Sequence, residues 1–167
     1  MKITPDGAQK MIHSLENQRR QLVEKMNELS TFIVAVSEGN PEDLRPEFNF
    51  TDTVNEIKMI DEKILKIKHA RNVFNTTTYL PDEQMTIDEA LIMMAVLNNN
   101  YKYYTKLGNA QKKRRNMSSY ANEIEYIYTN YDIGEAKNCG KSMYDKMLEI
   151  QSKLNLVNTT YTFEIDE

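Results

Sequence analysis

Three observations predict a mainly α-helical fold of four long helices, arranged as two antiparallel hairpins. Apolar residues recur at alternating steps of three and four in four separate segments, the period of a helix with one buried stripe. Helix-starting residues stand ahead of these segments. Stretches of the first half also return 82 or 83 residues later in the second. At an offset of 83, Lys63, Leu65, Ile67 and Asn72 fall on Lys146, Leu148, Ile150 and Asn155, and Asn75-Thr76-Thr77 falls on Asn158-Thr159-Thr160. At an offset of 82, Thr4, Asp6, Ala8, Met11 and Leu15 fall on Thr86, Asp88, Ala90, Met93 and Leu97. The expectation is a single domain over 1–167 built from two repeats, about 1–81 and 82–167, related by a pseudo-twofold. Each repeat reads helix, loop, short extended piece, helix, Asn-Thr-Thr, strand.

The first helix begins at Thr4-Pro5-Asp6, where a hydroxyl cap, a proline at the first helical position and an acidic first turn coincide. Its apolar rhythm through Ala8, Ile12, Leu15, Leu22, Met26, Leu29, Ile33 and Val36 predicts a helix to about Ser37, with Arg19 in one apolar position. The stretch FIVAV at 32–36 is apolar on every side, which predicts burial against a second subunit and hence a homodimer or higher oligomer. Gly39, Pro41 and Pro46 mark a loop, and EFNF at 47–50 a short extended piece. Thr51 or Asp52 caps the second helix, which keeps its rhythm through Val54, Ile57, Ile60, Ile64, Ile67 and Phe74 with Arg71 inserted. Asn75 is expected to end it, because asparagine tolerates a left-handed backbone, and the threonines beyond favour extended structure.

A Thr86-x-x-Glu89 capping box opens the third helix, which stops near Gly108. The linker that follows holds the basic run 112–115, read as a solvated loop. EIEYIYTNYDI at 123–133 alternates and predicts a strand, including a counterpart of Phe48-Asn49-Phe50 at Tyr131-Asp132-Ile133. Gly134 breaks it, and the fourth helix runs to about Val157.

Composition bounds the function. At 167 residues, with 40% hydrophobic and 28% charged residues, the chain is long enough for one core and far from a disordered composition. A net charge of −4 argues against binding extended nucleic acid, which calls for a basic surface. The opening MKITPDGAQK is not a secretory leader and no run reaches membrane-span length, so a cytoplasmic protein without a membrane partner is expected. Cys139 is single, and His13 and His69 lie in amphipathic helices without metal-ligand spacing, so no metal or cofactor is expected. Glycines are scattered and no nucleophile sits in a recognisable turn, which speaks against an enzyme.

What remains is a set of candidate binding residues. Asn75, Thr76, Thr77 and Asn158, Thr159, Thr160 read most plainly as helix ends whose side chains satisfy terminal carbonyls. The functional reading makes them paired polar walls of a pocket, with Tyr79, Tyr126 and Tyr128 as stacking rings. Arg71, like Arg19, stands where the rhythm asks for an apolar residue; it either snorkels or faces a cavity as an anion site. Lys113, Arg114 and Arg115 could clamp phosphate.

The segments ARNVFNTTTYLP, MTIDEAL and LVNTTYTFEI together resemble the septicolysin-like family of small bacterial and phage proteins, whose activity is largely unknown. The resemblance spans nearly the whole chain and implies a helical fold. Its name suggests a cytolysin, which the lack of a secretion signal or membrane-inserting segment opposes. Its spread across phage and bacteria implies a binder that sequesters a small anionic or nucleotide-like immune signal. The alternative is a helical scaffold that binds another protein.

Overall fold

The computed structural model describes residues 1–117 and 124–165. It is mainly helical, with α1 at Pro5–Leu29, α2 at Phe50–Thr77, α3 at Ile87–Gly108 and α4 at Ile133–Thr160. Four short strands accompany them: β1 at Lys2–Ile3, β2 at Lys113–Arg115, β3 at Tyr126–Tyr128 and β4 at Phe163–Glu164. The chain divides into two compact units, Met1–Asn75 with Asn158–Glu167, and Thr76–Val157.

In the first unit, Thr4 caps α1 by accepting a hydrogen bond from the Gly7 N–H, with Pro5 in the first turn. Asn49 caps α2 by accepting from the Asp52 N–H at 3.2 Å. Three links tie the two helices side by side: Arg19 to Asp61, Lys68 to Glu16, and Arg71 donating to Gln9. The partners ascend along α2 as they descend along α1, so the pair is antiparallel. Ala8 and Ile12 of α1, and Ile60, Ile67 and Phe74 of α2, are buried. Burial of a side chain such as Ile12 contributes about 1.5–3 kcal/mol, more than any one of these exposed polar links. β1 pairs antiparallel with β4, Ile3 opposite Phe163, and the Phe163 ring lies 5.1 Å from that of Phe74.

In the second unit the expected capping box is complete. The Thr86 hydroxyl accepts from the Glu89 N–H at 3.2 Å, and the Glu89 carboxylate accepts from the Thr86 N–H at 2.7 Å. That backbone hydrogen bond, then the Thr86 hydroxyl, holds the Glu89 carboxyl below its usual range. Asp132 caps α4, accepting from the N–H groups of Gly134 and Glu135. Ile87, Ala90 and Leu97 of α3, and Ala136, Ile150, Leu154 and Val157 of α4, are buried, as is Leu80. Tyr79 bridges Thr86 antiparallel, closing the turn ahead of α3.

Several expectations are corrected. α1 ends at Leu29 with Ser30 as its cap, not near Ser37. Ile33 and Val36 are fully exposed; with no neighbour to cover them, their periodicity stabilises nothing, and the β-branched run Ile33, Val34 and Val36 has weak helix propensity. EFNF forms no strand, because Asn49 serves as a helix cap and Phe50 already belongs to α2. Both Asn-Thr-Thr motifs are helical, forming the last residues of α2 and α4 rather than exits into strands. Phe74 and Val157, buried just before them, anchor those turns, and burial outweighs the few tenths of a kcal/mol by which Asn and Thr disfavour helix. The strand expected over 123–133 is confined to Tyr126–Tyr128, since Asp132 is a cap and Gly134 sits inside the first turn of α4; residue 123 lies outside the described residues. The basic run is no loop: Lys113–Arg115 pair with Tyr126–Tyr128 as a two-stranded ribbon.

Under the same offsets the two units use like residues alike. Ala8 and Ala90, Ile67 and Ile150, Phe74 and Val157, and Leu80 and Phe163 are all buried. Asn49 and Asp132 are both caps. Carried through the offsets, the bridge Tyr79 to Thr86 falls on Thr162 and Thr4, the next rung of the ladder that pairs Ile3 with Phe163.

Candidate functional site

Lys113, Arg115, Tyr126 and Tyr128 share one face of the β2–β3 ribbon, because side chains alternate across a strand and the register sets Lys113 opposite Tyr128 and Arg115 opposite Tyr126. Arg114 points to the other face, opposite Ile127. The Lys113 ammonium lies 3.9 Å from the centroid of the Tyr126 ring and 5.4 Å from that of Tyr128. All six of these side chains are exposed, so the ribbon offers a basic and aromatic surface.

The other sequence candidates are placed as follows. Arg71 is half-buried and donates to the Gln9 side chain at 2.6 Å, so its charge is held against a neutral amide along α1. Asn75 and Asn158 are partly buried in terminal helical turns, where Thr76, Thr77, Thr159 and Thr160 are exposed. Tyr79 is exposed beside its bridge to Thr86. His13, His69 and Cys139 are exposed. Among the described residues, no group of His, Cys, Asp or Glu side chains could hold a metal ion.

A pocket that sequence reasoning did not single out lies between α3 and α4 within the second unit. Its volume is about 320 Å³, and it is lined by Tyr101, Thr105 and Asn109 from α3 and its cap, and by Lys137, Lys141 and Tyr144 from α4. Glycines let the helices approach here. A Cβ on Gly140 would meet Thr105 Oγ1 at 3.4 Å, and one on Gly108 would stand 2.7 Å from Lys137 Cγ. Tyr131, just ahead of α4, ties the same end by donating from its hydroxyl to the Leu107 carbonyl at 2.9 Å. The Tyr101 and Tyr144 rings are 5.3 Å apart at 37°. Lys137 and Lys141 are one helical turn apart on the same face, and neither forms an ion pair among the described residues. Two lysines without an ion pair among the described residues, a threonine, an asparagine and a ring pair thus line one concavity, the combination that recognises an anion carrying a planar group.

The first unit has its own opening, a groove of about 550 Å³ between α1 and α2. Met11 and Leu15 wall it on the α1 side and Ile67 on the α2 side, with Met1 and Ile165 at one end. The charged residues in its lining are Lys63 and Lys66.

Set against each other by the sequence offsets, the two units differ at just these places. Tyr101 and Tyr144 correspond to Arg19 and Asp61, which in the first unit close the helix pair with a 2.6 Å ion pair. The Arg19 guanidinium is pushed above its ordinary pKa by the hydrogen bond to Asp61. The reverse holds on the other flank. There the second unit has Lys153 bonded to Glu83 at 2.6 Å and to Glu149 at 3.3 Å, and the Glu83 hydrogen bond raises the lysine's pKa. The corresponding residues of the first unit are Ala70, Met1 and Lys66, which leave the groove open. Each unit is bolted on one flank and open on the opposite one. The sequence carried a signal for the α3–α4 pocket: Lys137, Lys141 and Tyr144 are spaced for one helical face, and Tyr101 is the counterpart of the anomalous Arg19.

No family model matches the chain, and no curated protein is similar to it by sequence. A solved structure is similar in fold: a protein of Corynebacterium diphtheriae described as conserved and functionally unknown, with a TM-score of 0.66 and 14% identity over 98% of this chain and 100% of that one. At that identity the likeness speaks for the fold alone.

Proposed function

We propose that the protein is a non-enzymatic binder of a small anionic, nucleotide-like ligand, held in the α3–α4 pocket. The observation that carries this reading is the pair Lys137 and Lys141, uncompensated by any acid in the pocket lining and sharing it with a tyrosine pair where the other unit has an Arg–Asp bridge. An anion would meet both ammonium groups, Thr105 and Asn109 would orient it, and the rings would cover a base or other planar group. The β2–β3 ribbon is the weaker seat, because Lys113 already lies over the Tyr126 ring and its side chains are exposed. The reading takes the two halves as diverged copies of one helical hairpin. Sequestration is the proposed mode, since the lining supplies donors and ring faces to grip a ligand.

The test is a thermal-shift panel of cyclic nucleotides and ADP-ribose derivatives. A ligand that binds the native state at a hundredfold its Kd stabilises it by about 2.7 kcal/mol. At least one member is expected to raise the Tm of the wild type and to leave a Lys137→Ala/Lys141→Ala variant unmoved. No shift with any member, or an equal shift in the variant, refutes the site.

A second reading, docking onto another protein or a second copy, rests on the bare segment 32–36, where Ile33 and Val36 are fully exposed and Phe32 partly so. Light scattering decides it for self-association: a mass of 19.5 kDa at micromolar concentration removes the dimer.

A further inference from the structure

We propose that the α1–α2 groove of the first unit is a separate binding site for a free medium-chain fatty acid. The groove has the two parts such a ligand needs. Its long walls are apolar, with Met11, Leu15 and Ile67 along the helices and Met1 and Ile165 closing one end; methionines suit a flexible alkyl chain because their unbranched thioethers reshape around it. Its charged side chains are Lys63 and Lys66, one turn and one residue ahead of Ile67 on α2.

Charge complementarity selects the occupant. Every other cation on the facing flanks of α1 and α2 that the structure links is committed elsewhere: Arg19 to Asp61, Lys68 to Glu16, and Arg71 to Gln9. Lys63 and Lys66 have no ion pair among the described residues, and no acid lines the groove to neutralise them. The equivalent flank of the second unit shows what closure looks like, for there Lys153, Glu83 and Glu149 bar the opening. In the first unit Lys66 replaces the acid Glu149 and Ala70 replaces Lys153, which removes the bar and reverses the charge. An apolar body with a carboxylate end satisfies both walls and lysines, whereas a neutral apolar ligand leaves the two ammonium groups unmet.

Length follows from helix geometry. Met11 to Gln18 marks the groove along α1, and seven residues at 1.5 Å each span roughly 10 Å. That span suits a chain of about eight to ten carbons lying along it. Each methylene buried within the span should tighten binding about three- to fourfold, and methylenes beyond it should add little.

The test uses calorimetric titration of the whole protein with hexanoate, octanoate, decanoate, dodecanoate and decanol below their micelle concentrations. Affinity is expected to rise threefold or more per methylene up to about decanoate and then level, with decanol at least tenfold weaker than decanoate. Lys66→Glu, which restores the acid of the other unit at an exposed position, should weaken decanoate at least tenfold. Ser14→Trp, which fills the groove from its exposed edge, should abolish binding, and circular dichroism should show both variants as helical as the wild type. The proposal is overturned if decanol binds as tightly as decanoate, if affinity keeps climbing past dodecanoate as simple partitioning would, or if Ser14→Trp binds unchanged. Binding to anionic phospholipid vesicles but to no free fatty acid also overturns it, in favour of a membrane surface.

Discussion

Gly108 and Gly140 both lie where α3 crosses α4, yet replacing each with alanine is expected to move stability in opposite directions. A Cβ on Gly108 would stand 2.7 Å from Lys137 Cγ and 3.2 Å from the Lys137 backbone Cα and N. Carbon atoms are comfortable at about 3.5–4.0 Å, so α4 would have to retreat by a good fraction of an ångström. Such overpacking costs about 1–3 kcal/mol, and the gain from replacing a helical glycine returns only about 0.5–1 kcal/mol. The net is a loss of up to about 2.5 kcal/mol, centred near 1 kcal/mol. In a protein of this length a loss of about 1 kcal/mol is a fall of roughly 2–4 °C in Tm. At Gly140 the added carbon would meet Thr105 Oγ1 at 3.4 Å and the Thr105 nitrogen at 3.5 Å, close to ordinary contact. The helix gain then dominates, and Gly140→Ala should raise Tm by roughly 1–4 °C. Thermal unfolding followed by circular dichroism measures both. Because Lys137 is the residue displaced, Gly108→Ala should also weaken any ligand of the α3–α4 pocket. Gly108→Ala as stable as the wild type, or Gly140→Ala the less stable of the two, would refute this packing at the helix crossing.

Other perturbations read other parts of the account. Ile67→Ala and Ile150→Ala, at buried positions related by the 83-residue offset, should each cost about 2–5 kcal/mol in urea unfolding, while Leu65→Ala and Leu148→Ala, equally matched in sequence but exposed, should stay within about 0.5 kcal/mol. The carboxyls of Glu89 and Glu16 are held below their usual range, Glu89 by Thr86 and Glu16 by Lys68. A depressed folded pKa contributes stability above the unfolded carboxylate value and loses it as pH falls through the folded one, so Tm should decline on acidification through that window, and less steeply in Thr86→Ala. Lys153 has the opposite sign: its raised pKa gives stability that is full below the usual lysine value and is lost as pH rises through the folded value, a loss Glu83→Gln should flatten.

Two helix starts were legible because each is a local hydrogen bond made by one side chain, whereas α2 begins behind Asn49 rather than Thr51 or Asp52, and Asp132, expected within a strand, caps α4. Thr4 and Thr86 cap as their surroundings predict. Helix ends were not, because they depend on what lies alongside. The periodicity that carried the first helix past Leu29 is real, but Ile33 and Val36 meet nothing, whereas the helix-poor Asn75-Thr76-Thr77 stays helical behind the buried Phe74. The candidate site was half legible. The oddness of Arg19 pointed to its flank, but its partner Asp61 and the contrast with Tyr101 and Tyr144 require the pairing of helices, which one chain's pattern does not specify. The sequence shows the basic run and the tyrosines apart, and the register that puts Lys113 over Tyr126 comes from the strand pairing.

Heteronuclear NMR titration reads occupancy of the pocket between α3 and α4 residue by residue. ADP-ribose and a cyclic dinucleotide are added to the ¹⁵N-labelled wild type and to Lys137→Ala/Lys141→Ala. The account predicts saturable shifts clustered at Tyr101, Thr105, Asn109, Lys137, Lys141 and Tyr144 with at least one of the two ligands, and their loss in the variant. Shifts clustered instead on 113–115 and 126–128, or no saturable shift with either ligand, would contradict it.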